Sequence, residues 1–311
     1  MYPTLSHAIK DLTGFDVPFP IATFGFFMAL SFFVSSRFLI AELKRKEKDG
    51  LMHSYIDEKG NEIHPHQMVS TMILIAIGTG IIGARLFSIL EYPSAFLEAP
   101  IKTLISSSGL TFYGGLILGA SCVILYTRKK KIKTIHLLDA AAPALMLSYA
   151  IGRIGCHLSG DGDWGIVNTA VKPHWMNFLP DWIWAYDYPH NVAKQGVLFD
   201  SIDAYGYVLP QPVFPTPLYE AIMCFMLFTI LWAIRKKIAA PGLLFATYLI
   251  FNGVERFLIE KIRVDSEYNF LGFQFKQATL ISVILFCVGA LIIATHFKNK
   301  RNRLEDEFTK P

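Results

Sequence analysis

The stretch LLDAAAPALMLSYAIGRIGCHL, Leu137–Leu158, decides how this chain is read. It is apolar over a length that crosses a hydrocarbon core, since about 20 residues of helix span one. Yet Arg153 lies near its end. An arginine inside a bilayer costs about 2.5–3.5 kcal/mol on insertion scales. Such a side chain lines a polar site more readily than it faces lipid. The same pattern recurs outward along the chain with Arg85, Glu220 and Arg256, each within or at the edge of an apolar block.

Composition supports a membrane protein. Of 311 residues, 53% are hydrophobic, 14% aromatic and only 17% charged. The mean hydropathy is +0.39. A soluble domain of this size carries more charge, about a quarter of its residues. The net charge of +4 is weakly basic. Its basic residues sit beside the apolar blocks, so nucleic acid is not an expected partner. Cys122, Cys156, Cys224 and Cys287 all fall in or at the edge of apolar blocks. They predict no disulfide framework and no zinc site. The first apolar block is too long for a signal-peptide core and reads as a retained span.

Seven spans are predicted: Pro20–Leu43, Met68–Leu90, Leu110–Tyr126, Leu137–Leu158, Thr216–Ile234, Gly242–Ile259 and Ala278–Phe297. Basic clusters orient them. Lys44, Arg45, Lys46 and Lys48 follow the first span; Arg128, Lys129, Lys130, Lys131 and Lys133 follow the third. Arg235, Lys236 and Lys237 follow the fifth; Lys298, Lys300, Arg301 and Arg303 follow the seventh. All four clusters therefore share one side, which the positive-inside rule makes the cytoplasm. The expected fold is an all-α polytopic membrane protein, one membrane domain over 1–311, with seven transmembrane helices, N-terminus outside and C-terminus inside. A loop over 159–215 remains outside. Its Trp164, Trp175, Trp182, Trp184, Tyr186 and Tyr188 fit either an interfacial aromatic belt or a small extracytoplasmic head.

Helix rise places the polar groups in depth. At about 1.5 Å per residue, Arg153, Arg256 and Arg85 lie roughly 21–25 Å from the inner ends of their spans. Glu220 and Tyr113 lie about one turn in from the outer ends of theirs. Five spans thus send polar groups towards the outer half of the bilayer. Two like charges held near one another need an anion or carboxylate between them, and guanidinium forks suit phosphate. Arg85 alone also fits a side chain snorkelling to outer headgroups. Glu220 alone also fits a partner for one arginine. Gly78, Gly80, Gly83, Gly115 and Gly119 read as small residues at helix contacts. Pro143 reads as a kink, and Asp139 as a structural hydrogen-bond partner. His53, His64 and His66 read as solvated. No metal-ligand or nucleotide motif is visible, so no cofactor is expected.

Gly152-Arg153-Ile154-Gly155-Cys156 followed by Ser159-Gly160-Asp161 resembles the signature of the prolipoprotein diacylglyceryl transferase family. Four further segments follow the family order. They are Gly83-Ala84-Arg85-Leu86-Phe87, Phe112-Tyr113-Gly114-Gly115, Pro215-Thr216-Pro217-Leu218-Tyr219-Glu220, and Gly253-Val254-Glu255-Arg256-Phe257 with Glu260 and Arg263. The resemblance spans nearly the whole chain. It implies a bacterial inner-membrane enzyme with its site towards the outer leaflet. Such an enzyme moves a diacylglyceryl group from phosphatidylglycerol to the lipobox cysteine of prolipoprotein signal peptides, releasing glycerol phosphate. It implies catalytic roles for Arg153, Arg256 and Tyr113. It implies phosphatidylglycerol binding by Arg153, Arg256, Arg85, Glu220, Asp161, Arg263, Gly114 and Gly115. No catalytic cysteine or metal is implied, because the nucleophile belongs to the substrate. The family's best-known members carry histidine at Tyr113, asparagine at Cys156 and tyrosine at Asn252, a Tyr-Gly pair where the first span has Phe24, and a histidine at Phe214. Tyr113, His157 or another group is left as the general base. The competing readings are an inactive paralogue that binds anionic phospholipid and a transporter; Asp139 alone lies deep on the inner side, which weighs against a transport path.

Overall fold

The computed structural model describes residues 1–15, 21–57, 59–106, 111–201, 203–264, 267–270 and 273–308. In chain order the helices are α1 (Leu5–Thr13), α2 (Thr23–Lys48), α3 (Val69–Glu91), α4 (Pro93–Glu98), α5 (Pro100–Ile105), α6 (Phe112–Lys129), α7 (Thr134–Ser159), α8 (Thr216–Ile234), α9 (Leu243–Glu260) and α10 (Gln277–Phe308). Helix occupies each of the seven stretches read as spans. Among the described residues, five stretches are long and apolar enough to cross a membrane: Thr23–Lys48, Pro65–Glu91, Thr134–Ser159, Thr216–Ile234 and Gln277–Asn302. Of the other two, α9 carries Glu255, Arg256 and Glu260 within its length, and α6 ends on Arg128 and Lys129.

The described residues are mostly helical, with short strand pairs in the connections. Three antiparallel pairs join β1 (Tyr55–Ile56) to β2 (Glu62–Ile63), β3 (Val197–Leu198) to β4 (Tyr207–Val208), and β5 (Glu267–Phe270) to β6 (Phe273–Lys276). All lie in connections, where polar backbone reaches water and needs no long ladder.

The chain divides into two compact units, Ser36–Ala140 and Met1–Ser35 with Ala141–Pro311. In the Ser36–Ala140 unit, α3 packs on α6 through glycines. A Cβ on Gly83 would overlap the Gly114 carbonyl, and one on Gly115 would come 2.9 Å from the Gly80 carbonyl oxygen. Only backbone-to-backbone approach fits this seam. Leu43, Met52, Met68, Val69, Met72, Ile132, Leu137 and Ala140 form this unit's buried cluster. Asp139 has its structural partner there: Lys46 Nζ lies 3.8 Å from Asp139 Oδ2, and both residues are buried. His64 and His66 are not simply solvated. Their Nδ1 atoms lie 2.6 and 3.3 Å from the two oxygens of Glu47.

In the other unit, α9 lies on α10 with Gly253 against the Ser282 carbonyl and Gly289 against that of Ala246. α7 runs through Pro143 without interruption, and Gly155 leaves room for Phe27 of α2. The segment after α7 folds as a small head. Trp164, Tyr188 and Val213 make its core, with Met1, Tyr186, Ala193 and Leu209 packed around them. Asn191, fully buried, donates to the carbonyl oxygens of Tyr188, Gln195 and Tyr207, each at 3.1 Å. The tryptophans divide accordingly. Trp164 is core, Trp184 donates Nε1–H to Ala170, and Trp175 is 72% exposed.

Candidate active site

Tyr149, Arg153 and Cys156 lie at i, i+4 and i+7 on α7, so they share one face of its outer turns. The Arg153 guanidinium lies over the Tyr149 ring at 5.1 Å, and Nη2 is 3.4 Å from the Tyr149 hydroxyl. Its Nη1 is 3.9 Å from Cys156 Sγ. Tyr149 was not anticipated, although its helical spacing from Arg153 was legible.

Beyond α7 the chain turns through Gly160 and Gly162, at φ +64° and +99°. These left-handed conformations suit glycine. The turn carries Asp163 back to Arg153, and the Asp163 backbone N–H donates to Asp161 Oδ1 at 3.3 Å. The head is tied down nearby: the Gly165 N–H donates to the Phe214 carbonyl and that of Ile166 to Ile262, both at 2.8 Å, and the Thr216 hydroxyl donates to the Asp163 carbonyl at 2.7 Å.

The second half comes from α8 and α9. Glu220, wholly buried one turn into α8, receives Arg153 Nε on Oε2. Its Oε1 lies 3.1 Å from Arg256 Nη1 and 3.4 Å from Arg263 Nη1. Arg256 Nη2 also reaches Glu260 Oε2 at 3.2 Å, one turn further along α9. Arg263, just past α9, and Arg153 grip the two oxygens of Asp163. Lys276 caps this edge, donating to the carbonyls of Glu260 and Arg263 at 3.1 and 2.8 Å.

The result is three guanidiniums joined by three carboxylates. Glu220 is the carboxylate that two neighbouring arginines require. It contacts all three arginines. The carboxylate from the head that pairs with Arg153 is Asp163, a residue the sequence reading did not single out. The surroundings of Asp161 and Asp163 push the two aspartates in opposite directions. Burial works to raise the Asp163 carboxyl, but the charges of Arg153 and Arg263 outweigh it and hold it below the usual range. Burial, and then the charge of Asp163, push Asp161 up. Cys156, Asp161 and Asp163 bring ligand-type atoms within 4.8 Å of one another, but both Asp163 oxygens already face guanidiniums.

The remaining predicted residues distribute as follows. Arg85 and Tyr113 belong to the Ser36–Ala140 unit, where Arg85 donates to the Ser106 carbonyl. Gly114 and Gly115 sit on the α3–α6 seam, against Phe87 and Gly80. His157 points into the head: its Nδ1 is 3.1 Å from the Tyr188 hydroxyl, and its ring stacks on Trp182. Glu255, beside Arg256 and 2% exposed, has no hydrogen-bond partner on either carboxylate oxygen.

With this geometry in view, comparison with known proteins is decisive. The profile of the prolipoprotein diacylglyceryl transferase family matches residues 12–295. This chain belongs to that family. A phosphatidylglycerol–prolipoprotein diacylglyceryl transferase of Leptospira interrogans is 27% identical over 322 residues, covering 88% of each chain. One from Streptococcus pyogenes serotype M5 is 31% identical over 231 residues, covering 73% of this chain and 78% of its own. The family match spans all three elements that build the arginine–carboxylate cluster, α7, α8 and α9.

Proposed function

We propose that this protein transfers the diacylglyceryl group of phosphatidylglycerol to the lipobox cysteine thiol of prolipoproteins and releases glycerol phosphate. Family membership and the activity for which the relatives are named support the reaction. The single structural observation that carries the reading is the cluster of Arg153, Arg256 and Arg263 around Glu220 and Asp163. Arginine donates in pairs to phosphate oxygens. Preorganised donors stabilise charge as it develops on a departing phosphate. In this reading Arg153 binds the donor phosphate, Arg256 assists there, and Glu220 with Asp163 holds the guanidiniums in place before lipid arrives. Arg263 holds Asp163 and Glu220 beside them, and the family resemblance gives Arg85, Gly114 and Gly115 a part in lipid binding and Tyr113 a catalytic one.

The setting follows from the charge pattern. The chain makes one seven-span domain in the bacterial inner membrane, N-terminus outside, with the site facing the outer leaflet and the 159–215 head outside. The five stretches long and apolar enough to cross a bilayer support it, as does the placement of every basic cluster after an odd-numbered span.

The test is donor dependence. Purified protein in vesicles containing phosphatidylglycerol should add one diacylglyceryl mass to a lipobox peptide and release an equal amount of glycerol phosphate. Vesicles of phosphatidylethanolamine alone should give neither. Phospholipid binding without thioether in both vesicles would favour the inactive paralogue.

A further inference from the structure

The proposed reaction needs a base, because the thiolate is the nucleophile. Three positions are poorly suited. Tyr113 carries a phenol with an ordinary pKa of about 10. His157 is engaged with Tyr188 inside the head. Glu255 is buried on both oxygens. The two aspartates at the end of α7 are divided more usefully. Asp163 has one oxygen on Arg153 and the other on Arg263, which leaves it holding the cluster together. Asp161 stands beside it with no ion pair among the described residues, accepting the Asp163 N–H on Oδ1. It is half-buried, so a substrate can reach it. A thiol already occupies the space next to it: the Cys156 sulfur lies within 4.8 Å of an Asp161 carboxylate oxygen, and Arg153 Nη1 approaches the same sulfur at 3.9 Å. The resident sulfur shows that a thiol fits between this carboxylate and this guanidinium.

We propose that Asp161 is the proton acceptor for the incoming lipobox thiol. This rests on the transferase reading above. In the step, the cysteine S–H bond breaks and its proton goes to an Asp161 carboxylate oxygen. The sulfur's electron pair forms a C–S bond to the glyceryl carbon of the donor. The bond from that carbon to the phosphate oxygen breaks, and its electron pair leaves with the phosphate beside Arg153. The proton then passes from Asp161 to the departing glycerol phosphate. Paired carboxyls whose surroundings separate their affinities for protons are a recurrent acid–base arrangement. The upward push on Asp161 from burial and from Asp163 brings it nearer a working base.

The experiment compares wild type with Asp161→Asn on two peptides in phosphatidylglycerol vesicles, one with the lipobox cysteine and one with selenocysteine there. A selenol is already ionised at neutral pH and needs no base. For the cysteine peptide, Asp161→Asn should lower kcat about 10²–10⁴-fold at pH 7. The deficit should shrink about tenfold per pH unit as pH climbs towards the free thiol's value of about 8.5. It should nearly vanish with the selenol. The thermal midpoint in detergent should be unchanged, which shows that the variant is folded. Unaltered turnover, or an equal loss with both nucleophiles, would overturn the assignment. Wild type that lipidates neither peptide would instead overturn the transferase reading itself.

Discussion

Glu220 and Glu255 show how much a single residue's surroundings decide. Both are buried carboxyl groups on neighbouring helices. Glu220 contacts three guanidiniums, whereas Glu255 has no hydrogen-bond partner among the described residues. Removing one partner of a buried ion pair costs about 3–5 kcal/mol, because the other charge is left uncompensated. Glu220→Gln should therefore lower the thermal midpoint in detergent sharply and abolish activity. Glu255→Gln should leave the midpoint unchanged or raise it. Equal losses in both variants would contradict this accounting. Asp163 gives a pH prediction with a definite sign. Its folded-state value is depressed, so its contribution is complete above the unfolded value of about 3.9 and is lost as pH falls through the folded value. Asp163→Asn should be less stable than wild type near pH 7, and the gap should close under strong acid. A gap that widens on acidification would reverse the sign assigned here. At this scale Arg153 and Arg256 were legible from the cost of burying charge. Asp163 was not, because its partners lie 10 and 100 positions away along the chain.

At the scale of elements, hydropathy located the helices well and their ends less well. The span read as Leu137–Leu158 is the helix Thr134–Ser159. Polar residues such as Thr134 and Ser159 extend a helix past its apolar part, where water or the head satisfies the ends. The strand pairs β1–β2 and β3–β4 are only two residues long on each side, too short for a periodic signal. The head was ambiguous for a different reason: a row of aromatic residues reads equally as an interfacial belt or as a small core. The fold buries Trp164 and Tyr188 and leaves Trp175 exposed. The glycine seam between α3 and α6 was legible as small residues at regular spacing. Its prediction is steric. Gly83→Leu or Gly115→Leu should force the two backbones apart and reduce both folded yield and activity, since backbone atoms stand where the new Cβ would lie. Gly78→Leu, which meets nothing within 4 Å, should be tolerated. Comparable yields from all three variants would remove the seam from the account.

At the scale of the whole molecule, several helices among the described residues are long and apolar enough to cross a bilayer. The count of seven spans depends on α6 and α9, the latter carrying three ionisable side chains within its length. Polar groups in a spanning helix persist where they face protein or a cavity. The arrangement makes a topological prediction. An impermeant thiol label should modify Lys172→Cys in the head of intact spheroplasts, and Lys131→Cys only after the membrane is opened. The reverse pattern would invert the chain. The central claim, however, is that the α7 arginine receives the donor's phosphate. The most direct measurement is lipobox-peptide lipidation in phosphatidylglycerol vesicles by wild type, Arg153→Lys and Arg153→Ala, with glycerol phosphate release followed in parallel. The account predicts thioether formation by wild type, a large loss for the lysine variant, which keeps the charge but not the fork, and no detectable product for the alanine variant. Full activity in Arg153→Ala would contradict it.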